Sequence, residues 1–555
     1  MAIQNGRAER APLLHRSTSV RAVYSNDDET EAGISTLRGS FIISSIGLLI
    51  FLQATNISIL TTTQSSIAAD LDAFEKATWL TSSYLIAMSS LAPLMGKLTQ
   101  VFTPRLCLFF STLLICIGTA ITGLSTSFEM FIVGRAFTGA GGGGIFIVAS
   151  IIVIQMTSPK RRGLYIGLVN SGMTVGVSLG AVIAGALEPT IGWKPLFGVQ
   201  APISLLAGIS LLWSIPAAHS SKENEYTDLS LGQKLARIDY SGALLLTATI
   251  ILFLLGLSGP KILPTPLILS AITLPVFILN EIYVASGPII PVSVLRSRGT
   301  LLTSLATLGF MMARWSILFY TPMYALSVRG WAPAVAGSIL IPTNAGFATG
   351  GLLAGVFHIK RTGSFYMHSV VSMALFAPTM AVLAFISTPD SPWTGYVIIV
   401  FFNGFITGAA MNYALVHLLH LTHDDVHPIV ISLLATFRGF AGSFGSAIGG
   451  GLFGRVLQKS LKSGFADAGL THRGELIRKL LGSPALVNKL EGVEKTIAVA
   501  SYEDAFKALF LSAAALSAAM VILQACTGWK APAKVDEQRL DEEEVEGEES
   551  LVAGA

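Results

Sequence analysis

The chain has 555 residues, 52% of them hydrophobic and only 12% charged, with a formal net charge of +3. Soluble domains carry about 25% charged residues, and half that share cannot cover the surface of a soluble protein this long. The near-neutral balance also excludes a nucleic-acid binder. Most of the chain is therefore solvated by lipid, and the expected class is an all-α protein that crosses the membrane many times.

Residues 1–38 are polar, contain Arg7, Arg10, Arg16, Arg21 and Arg38, and read as a disordered cytosolic tail without a cleavable signal peptide. Glu9, Leu13 and Leu14 form an acidic dileucine pattern, similar to the signal that cytosolic sorting adaptors read; the alternative is an unread disordered stretch. A crossing needs about 20 apolar residues, which predicts fourteen spans at roughly 40–60, 77–95, 104–124, 128–155, 163–187, 194–215, 238–257, 262–284, 300–325, 335–357, 365–386, 394–421, 428–452 and 504–526. The weakest are 77–95, rich in serine, and 262–284, with proline at both ends.

Loop charge orients this ladder. Even-numbered loops carry Lys97 and Arg105, then Lys160, Arg161 and Arg162, then Lys222, Lys234 and Arg237, then Arg296 and Arg298, then Lys360 and Arg361. Short odd-numbered loops hold one cation or none, so both termini are expected in the cytosol. The loop before 428 has no Lys or Arg and is the exception. In the outer loop 457–503, Leu476, Ile477, Leu480 and Leu481 fall at helical spacing and predict a short amphipathic helix. The tail 527–555 is acidic and reads as disordered.

In chain order, the informative stretches begin with Gly96-Lys97-Leu98-Thr99-Gln100-Val101-Phe102-Thr103-Pro104-Arg105, between spans two and three. Next comes Gly134-Arg135, followed by Gly139, Gly141, Gly142, Gly143 and Gly144. Span five carries Gly172, Gly176, Gly180 and Gly185, a face with almost no side chains, on which another helix can approach closely. By itself this stripe is equally well read as plain helix packing. Gly192-Trp193-Lys194-Pro195 and Gln200-Ala201-Pro202 follow.

In this order these stretches resemble the signature motifs of the major facilitator superfamily. Span count, Asp70, Arg237-Ile-Asp239-Tyr-Ser-Gly242 and Glu281 with Pro288, Pro291 and Leu295 make the chain similar to the fourteen-spanner drug:proton antiporter branch. The resemblance implies two six-helix bundles, 39–215 and 300–526, and a linker with inserted helices seven and eight, 216–299. It implies alternating access about a midplane site. It assigns Gly96, Lys97, Arg105 and the span-five glycines to conformational change, and Arg135 to a motif linked with proton transfer. An arginine keeps its proton, so Arg135 would act on a neighbour or on water. Gln100, Thr103 and Val177 depart from the family pattern, and Gln53 stands where the branch commonly has an aspartate.

Gln53 and Asn56 share a helix face and are candidate substrate ligands that cannot exchange a proton. Arg135, Arg314 and Arg438 fall within spans and need a cavity or partner, because each costs at least about 2.5–3.5 kcal/mol near the bilayer centre. Each either bonds backbone carbonyls or, at Arg314 and Arg438, meets an anionic substrate group. Further candidates are Tyr84, Trp315, Tyr320, Asn403, Asn412 and Tyr413, with Asn412 expected at a helix contact beyond Gly404 and Gly408.

Enzyme readings have little to stand on. Gly139, Gly141 and Gly144 satisfy GxGxxG inside a span, with no strand before them. The cluster His417, His420, His423 and His427 with Asp424 and Asp425 reads as a solvated helix end, with a pH-responsive role or a metal site as alternatives. No metal and no cofactor are expected. The expected function is secondary transport of a small organic molecule out of the cytosol, with protons as coupling ion implied by the resemblance. The alternatives are a vacuolar amino-acid transporter and a membrane sensor that lost transport. Expected partners are the small-molecule substrate, membrane lipid, protons and a sorting adaptor at the N-tail.

Overall fold

The computed structural model describes residues 36–156, 159–215, 230–236, 238–259, 261–285, 288–290, 295–359, 364–422 and 427–529. The dileucine pattern at Glu9, Leu13 and Leu14 and the acidic run 541–549 lie outside them, as do Arg237, Pro291, His423, Asp424 and Asp425.

The described chain is helical at every expected span. The helices are α1 Thr36–Asp70, α2 Ala77–Val101, α3 Pro104–Gly123, α4 Phe128–Met156, α5 Pro159–Ile191, α6 Trp193–Ser214, α7 Tyr240–Ser258, α8 Pro264–Val284, α9 Arg298–Ser327, α10 over 333–358, α11 Tyr366–Ile386, α12 Trp393–His420, α13 His427–Asp467 and α14 Gly492–Ala525. Twelve of them are long and apolar enough to cross a membrane, among the described residues. The other two are α2 and α10. Serine lowers the hydropathy of α2, and α10 breaks at Ile339 and widens into a π-helical turn over Leu353–His358. The proline-flanked α8 is among the twelve, ending in a π-helical turn over Asn280–Val284.

Local chemistry sets the ends. Thr103 caps α3, accepting from the Leu106 N–H at 3.4 Å, with Pro104 at the first helical position. Asp239 caps α7 through the Gly242 N–H at 2.8 Å. The expected loop 457–503 is shorter than anticipated, because α13 runs on to Asp467 and α14 begins at Gly492. Both extensions stay helical beyond the apolar stretch because their inner faces pack on each other, with Phe453 against Tyr502 and Phe506. The amphipathic helix forms over Gly474–Gly482 and buries Leu480.

Two groups of helices result. In one, α1 packs on α5 and α6, and α4 on α2 and α3; in the other, α9 packs on α13 and α14, α10 on α12, and α11 on α12 and α14. Helices α7 and α8 pair with each other, and α7 leans on α2 and α13. The face near Thr36 and Trp529 is termed the tail face: Arg38 lies over the Trp213 ring at 6.0 Å, and Tyr366 donates to Ala525 O at 2.7 Å. The opposite, distal face carries the α1–α2 turn, with the Gly474–Gly482 helix packed on it.

Candidate functional site

Each helix group buries one arginine without a carboxylate. In the first, Arg135 on α4 is fully buried and donates to Asn56 Oδ1, and again to Asn56 O at 3.3 Å. Asn56 Nδ2 donates to Gln200 Oε1 at 2.5 Å, and Gln200 Nε2 to Leu196 O at 2.8 Å. The guanidinium lies 4.5 Å from the Tyr84 ring centre and 5.6 Å from that of Phe197. Hydrogen bonds to a charged group contribute about 1.5–3 kcal/mol each. Two such bonds with two cation–π faces offset an insertion cost of roughly 2.5–3.5 kcal/mol. The cation therefore holds its place on amides and aromatic rings.

In the second group, Arg314 on α9 donates to Thr343 Oγ1, to Thr343 O at 3.2 Å and to Asn403 Oδ1 at 3.2 Å. Asn403 Nδ2 donates to Thr379 Oγ1 at 2.8 Å. The two pairs are reciprocal. In the first group the asparagine is on the first helix and the arginine on the fourth; in the second the positions are exchanged. Gln200 and Thr343 complete these networks and were not singled out as ligands from the sequence. Gln200 stood in the sequence within the stretch Gln200-Ala201-Pro202, whereas the signal for Thr343 was a polar residue inside an apolar run.

The remaining candidates separate by position. Gln53 donates to Met88 Sδ at 3.6 Å and its Oε1 is buried without a partner among the described residues. Tyr84 donates to Gln53 O at 3.4 Å. Trp315 stacks on Phe319, with centroids 5.3 Å apart, and its Nε1 also lacks a partner. A cavity of about 370 Å³ opens between the groups on the distal side, lined by Trp79, Phe319, Tyr320, Phe453, Thr78 and Gln64. Asn412 donates to Gly351 O at 2.6 Å, a helix contact between α12 and α10. Arg438 is half-buried. Tyr413 bonds His358 Nδ1 at 2.9 Å.

Within the histidine cluster, His417 departs from a solvated helix end. His417 is fully buried, with Nε2 3.3 Å from Thr527 Oγ1 and its ring 5.6 Å from that of Tyr366, because this face of α12 turns toward the end of α14. His427 Nε2 lies 2.9 Å from Leu419 O. Among the described residues, no group of three His, Cys, Asp or Glu side chains is placed to hold a metal ion.

The span-five glycines serve two contacts. A Cβ at Gly176 would lie 2.6 Å from Ala54 Cβ, and one at Gly180 would lie 2.8 Å from Thr55 Cα, both on α1 within the first group. A Cβ at Gly185 would lie 2.6 Å from Ala334 N on α10, across the groups. Gly172 is less crowded, its virtual Cβ 3.7 Å from Ile50, and Gly96 likewise with Ile147. Lys97 and Arg105 are half-buried, and Arg105 Nε has no partner among the described residues.

Hydrogen bonds that join the groups run from the middle of the helices to the distal face. Asn344 Nδ2 donates to Ser178 Oγ at 2.9 Å, Ser178 to Leu340 O at 3.3 Å, and Ser89 to Ser443 Oγ at 2.9 Å. At the rim, Arg478 pairs with Asp72 at 2.7 Å, and the Ala485 N–H donates to Ser65 Oγ at 3.4 Å.

Residues 46–446 match a family profile described as Major Facilitator Superfamily. The chain is similar to the acurin A biosynthesis cluster MFS-type transporter of Aspergillus aculeatus, 28% identical with 75% of each chain covered. It is also similar to the vacuolar membrane amino acid uptake transporter fnx2 of Schizosaccharomyces pombe, 25% identical with 82% of this chain and 78% of the relative covered. Among solved structures, a bacterial homolog of the human lysosomal transporter Spinster, inward-facing and unoccupied, superposes with a TM-score of 0.61. It shares 14% identity over 90% of this chain and 100% of that one, so the likeness is one of fold.

Proposed function

The chain belongs to the major facilitator superfamily, and we propose on that footing that it is an efflux transporter. It moves a small organic molecule, a drug or secondary metabolite, out of the cytosol by alternating access. The observation that carries this reading is the distribution of contacts between the helix groups. The hydrogen bonds across α5–α10 and α2–α13, together with the rim pair Arg478–Asp72, run from the middle of the helices to the distal face. Those bonds hold the groups together, and rocking one group against the other must break them.

In this reading the moving units are 39–215 and 300–526, with 216–299 inserted between them and 457–503 as the outer segment. Both termini face the cytosol. Gln53, Trp315 and Tyr320 meet the substrate, since Gln53 Oε1 and Trp315 Nε1 are polar atoms without partners among the described residues and Tyr320 lines the cavity. Arg438 meets an acidic substrate group. Asn56, Arg135, Arg314 and Asn403 hold the helices in register, because their polar atoms are largely spent on each other. Protons are the coupling ion.

The test is a growth-inhibition and metabolite-accumulation screen of a deletion strain, followed by flux of the compound found, in vesicles. Greater intracellular retention in the deletion strain and gradient-driven flux are expected. No flux under any gradient favours a sensor that kept the fold. The similarity to fnx2 favours loading of amino acids into a vacuole as a second reading. Imaging a tagged chain with Leu13→Ala and Leu14→Ala separates the two: an unchanged surface location in both forms removes the vacuolar reading.

A further inference from the structure

A second polar cluster lies where the inserted pair α7–α8 meets the tail face, away from both arginine networks. Asp239 is 8% exposed and Glu281 4% exposed, and both carboxyl groups border Gly242. Asp239 Oδ1 accepts from the Gly242 N–H and the Ser241 hydroxyl, each at 2.8 Å, and Asp239 Oδ2 accepts from Asn280 Nδ2 at 3.2 Å. Glu281 Oε2 accepts from the Ile290 N–H at 3.0 Å. Glu281 Oε1 is buried and has no donor among the described residues.

That orphan oxygen points at Asp239. A Cβ on Gly242 would lie 2.5 Å from Glu281 Oε1 and 2.8 Å from Asp239 Cγ, so the two carboxyls converge on the space this glycine leaves. Two ionised carboxylates cannot share such a site, because each is an acceptor and their charges repel. One proton between them satisfies the orphan oxygen and removes the repulsion. Both groups also sit beside the π-helical turn Asn280–Val284, an irregularity that often marks functional positions.

We propose that Asp239 and Glu281 together bind a single proton at the tail face. Donors divide the roles. Burial pushes the Asp239 carboxyl up, but the hydrogen bonds from Gly242, Ser241, Glu281 and Asn280 outweigh it and hold the group below its ordinary range. Asp239 is thus the carboxylate and Glu281 carries the proton. Lys97, at the end of α2, is the charged group that acts on Glu281 from the neighbouring helix. From α13, the helices of the pair meet Leu433, Phe437 and Phe440, none of them titratable. Within α7, Tyr240 beside the pair is exposed.

The site supplies a titratable group to a chain whose first span has Gln53 and Asn56 in place of one. Its role in coupling rests on the transporter reading, but its existence does not. The test is infrared spectroscopy of the purified full chain in lipid across pH, reading the protonated carboxyl stretch and its shift in deuterated water. The wild type is expected to show a buried carboxyl that titrates as one proton, and Glu281→Gln to lack it. Asp239→Asn removes the neighbouring charge and moves the midpoint to lower pH. A carboxyl band unchanged in Glu281→Gln, or no titrating buried carboxyl in the wild type, overturns the shared proton. A chain that carries the band but moves no solute refutes the transporter alone, and a transporter without the band refutes the pair alone.

Discussion

At the scale of single residues, the buried arginines show how a cation is kept in an apolar interior without a counter-ion. Arg135 leans on one residue above all, since Asn56 supplies both of its acceptors, the side-chain Oδ1 and the main-chain O. Asn56→Leu removes one of them and leaves a guanidinium N–H unpaired, at a cost of about 1.5–3 kcal/mol. Thermal unfolding of the detergent-purified variant is expected to show that loss, while Asn56→Asp, which still presents an acceptor to Arg135, stays closer to the wild type. Equal loss in both would mean that the Asn56–Gln200 bond, rather than the arginine contact, is what matters. The position of Arg135 inside a span was plain from the sequence. Its partners were not, because Asn56 and Gln200 lie 79 and 65 residues away in opposite directions and no local pattern joins them.

At the scale of elements, α2 shows why a hydropathy ruler understates some helices. Ser82, Ser83, Ser89 and Ser90 are buried, and Ser82 and Ser89 reach serines of α13 across the groups. A helix enclosed by other helices faces protein rather than lipid, so it does not need the apolar surface that lipid demands, even though Ser83 and Ser90 Oγ find no partner among the described residues. The α5 stripe reads in sequence as one seam, yet its glycines face two different neighbours. Gly176 and Gly180 fasten α5 to α1, and Gly185 lets α10 approach from the other group. Gly185→Val therefore acts on the contact between groups while the α1 seam stays intact. Labelling of Thr61→Cys, which lines the distal cavity, by a membrane-impermeant thiol reagent is expected to rise in the Gly185→Val background. Unchanged labelling would mean that this crossing does not hold the distal side closed.

At the scale of the whole molecule, the two helix groups meet at the distal face under a lid from the second. The Gly474–Gly482 helix rests on the α1–α2 turn, where a Cβ on Gly482 would lie 2.9 Å from Phe74 C. Its ion pair with Asp72 is exposed and contributes about 0–1 kcal/mol, so the packing on Phe74 outweighs the charge. Joining Ser65→Cys to Ala485→Cys by oxidation bridges α1 to this lid, across a contact of 3.4 Å. Transport is expected to stop in the oxidised form and return on reduction. Flux that persists with the cross-link formed would mean the lid travels with the first group and does not open.

Read alone, the sequence carries the class, the family and a helix at each expected span, because these are written in contiguous runs of apolar length, loop charge and glycine spacing; the helix ends are not, since α1, α13 and α14 run well past their apolar stretches. It also marked Asp239 and Glu281 as members of a pattern. Only the tertiary structure decided that these two carboxyls converge and that Arg135 and Arg314 sit in reciprocal pairs. It likewise decided that His417 is enclosed and that a glycine stripe serves two partners. The physical reason is reach. A hydrogen bond or a shared proton acts over a few ångströms between helices that stand far apart along the chain, and only packing brings such groups within that distance.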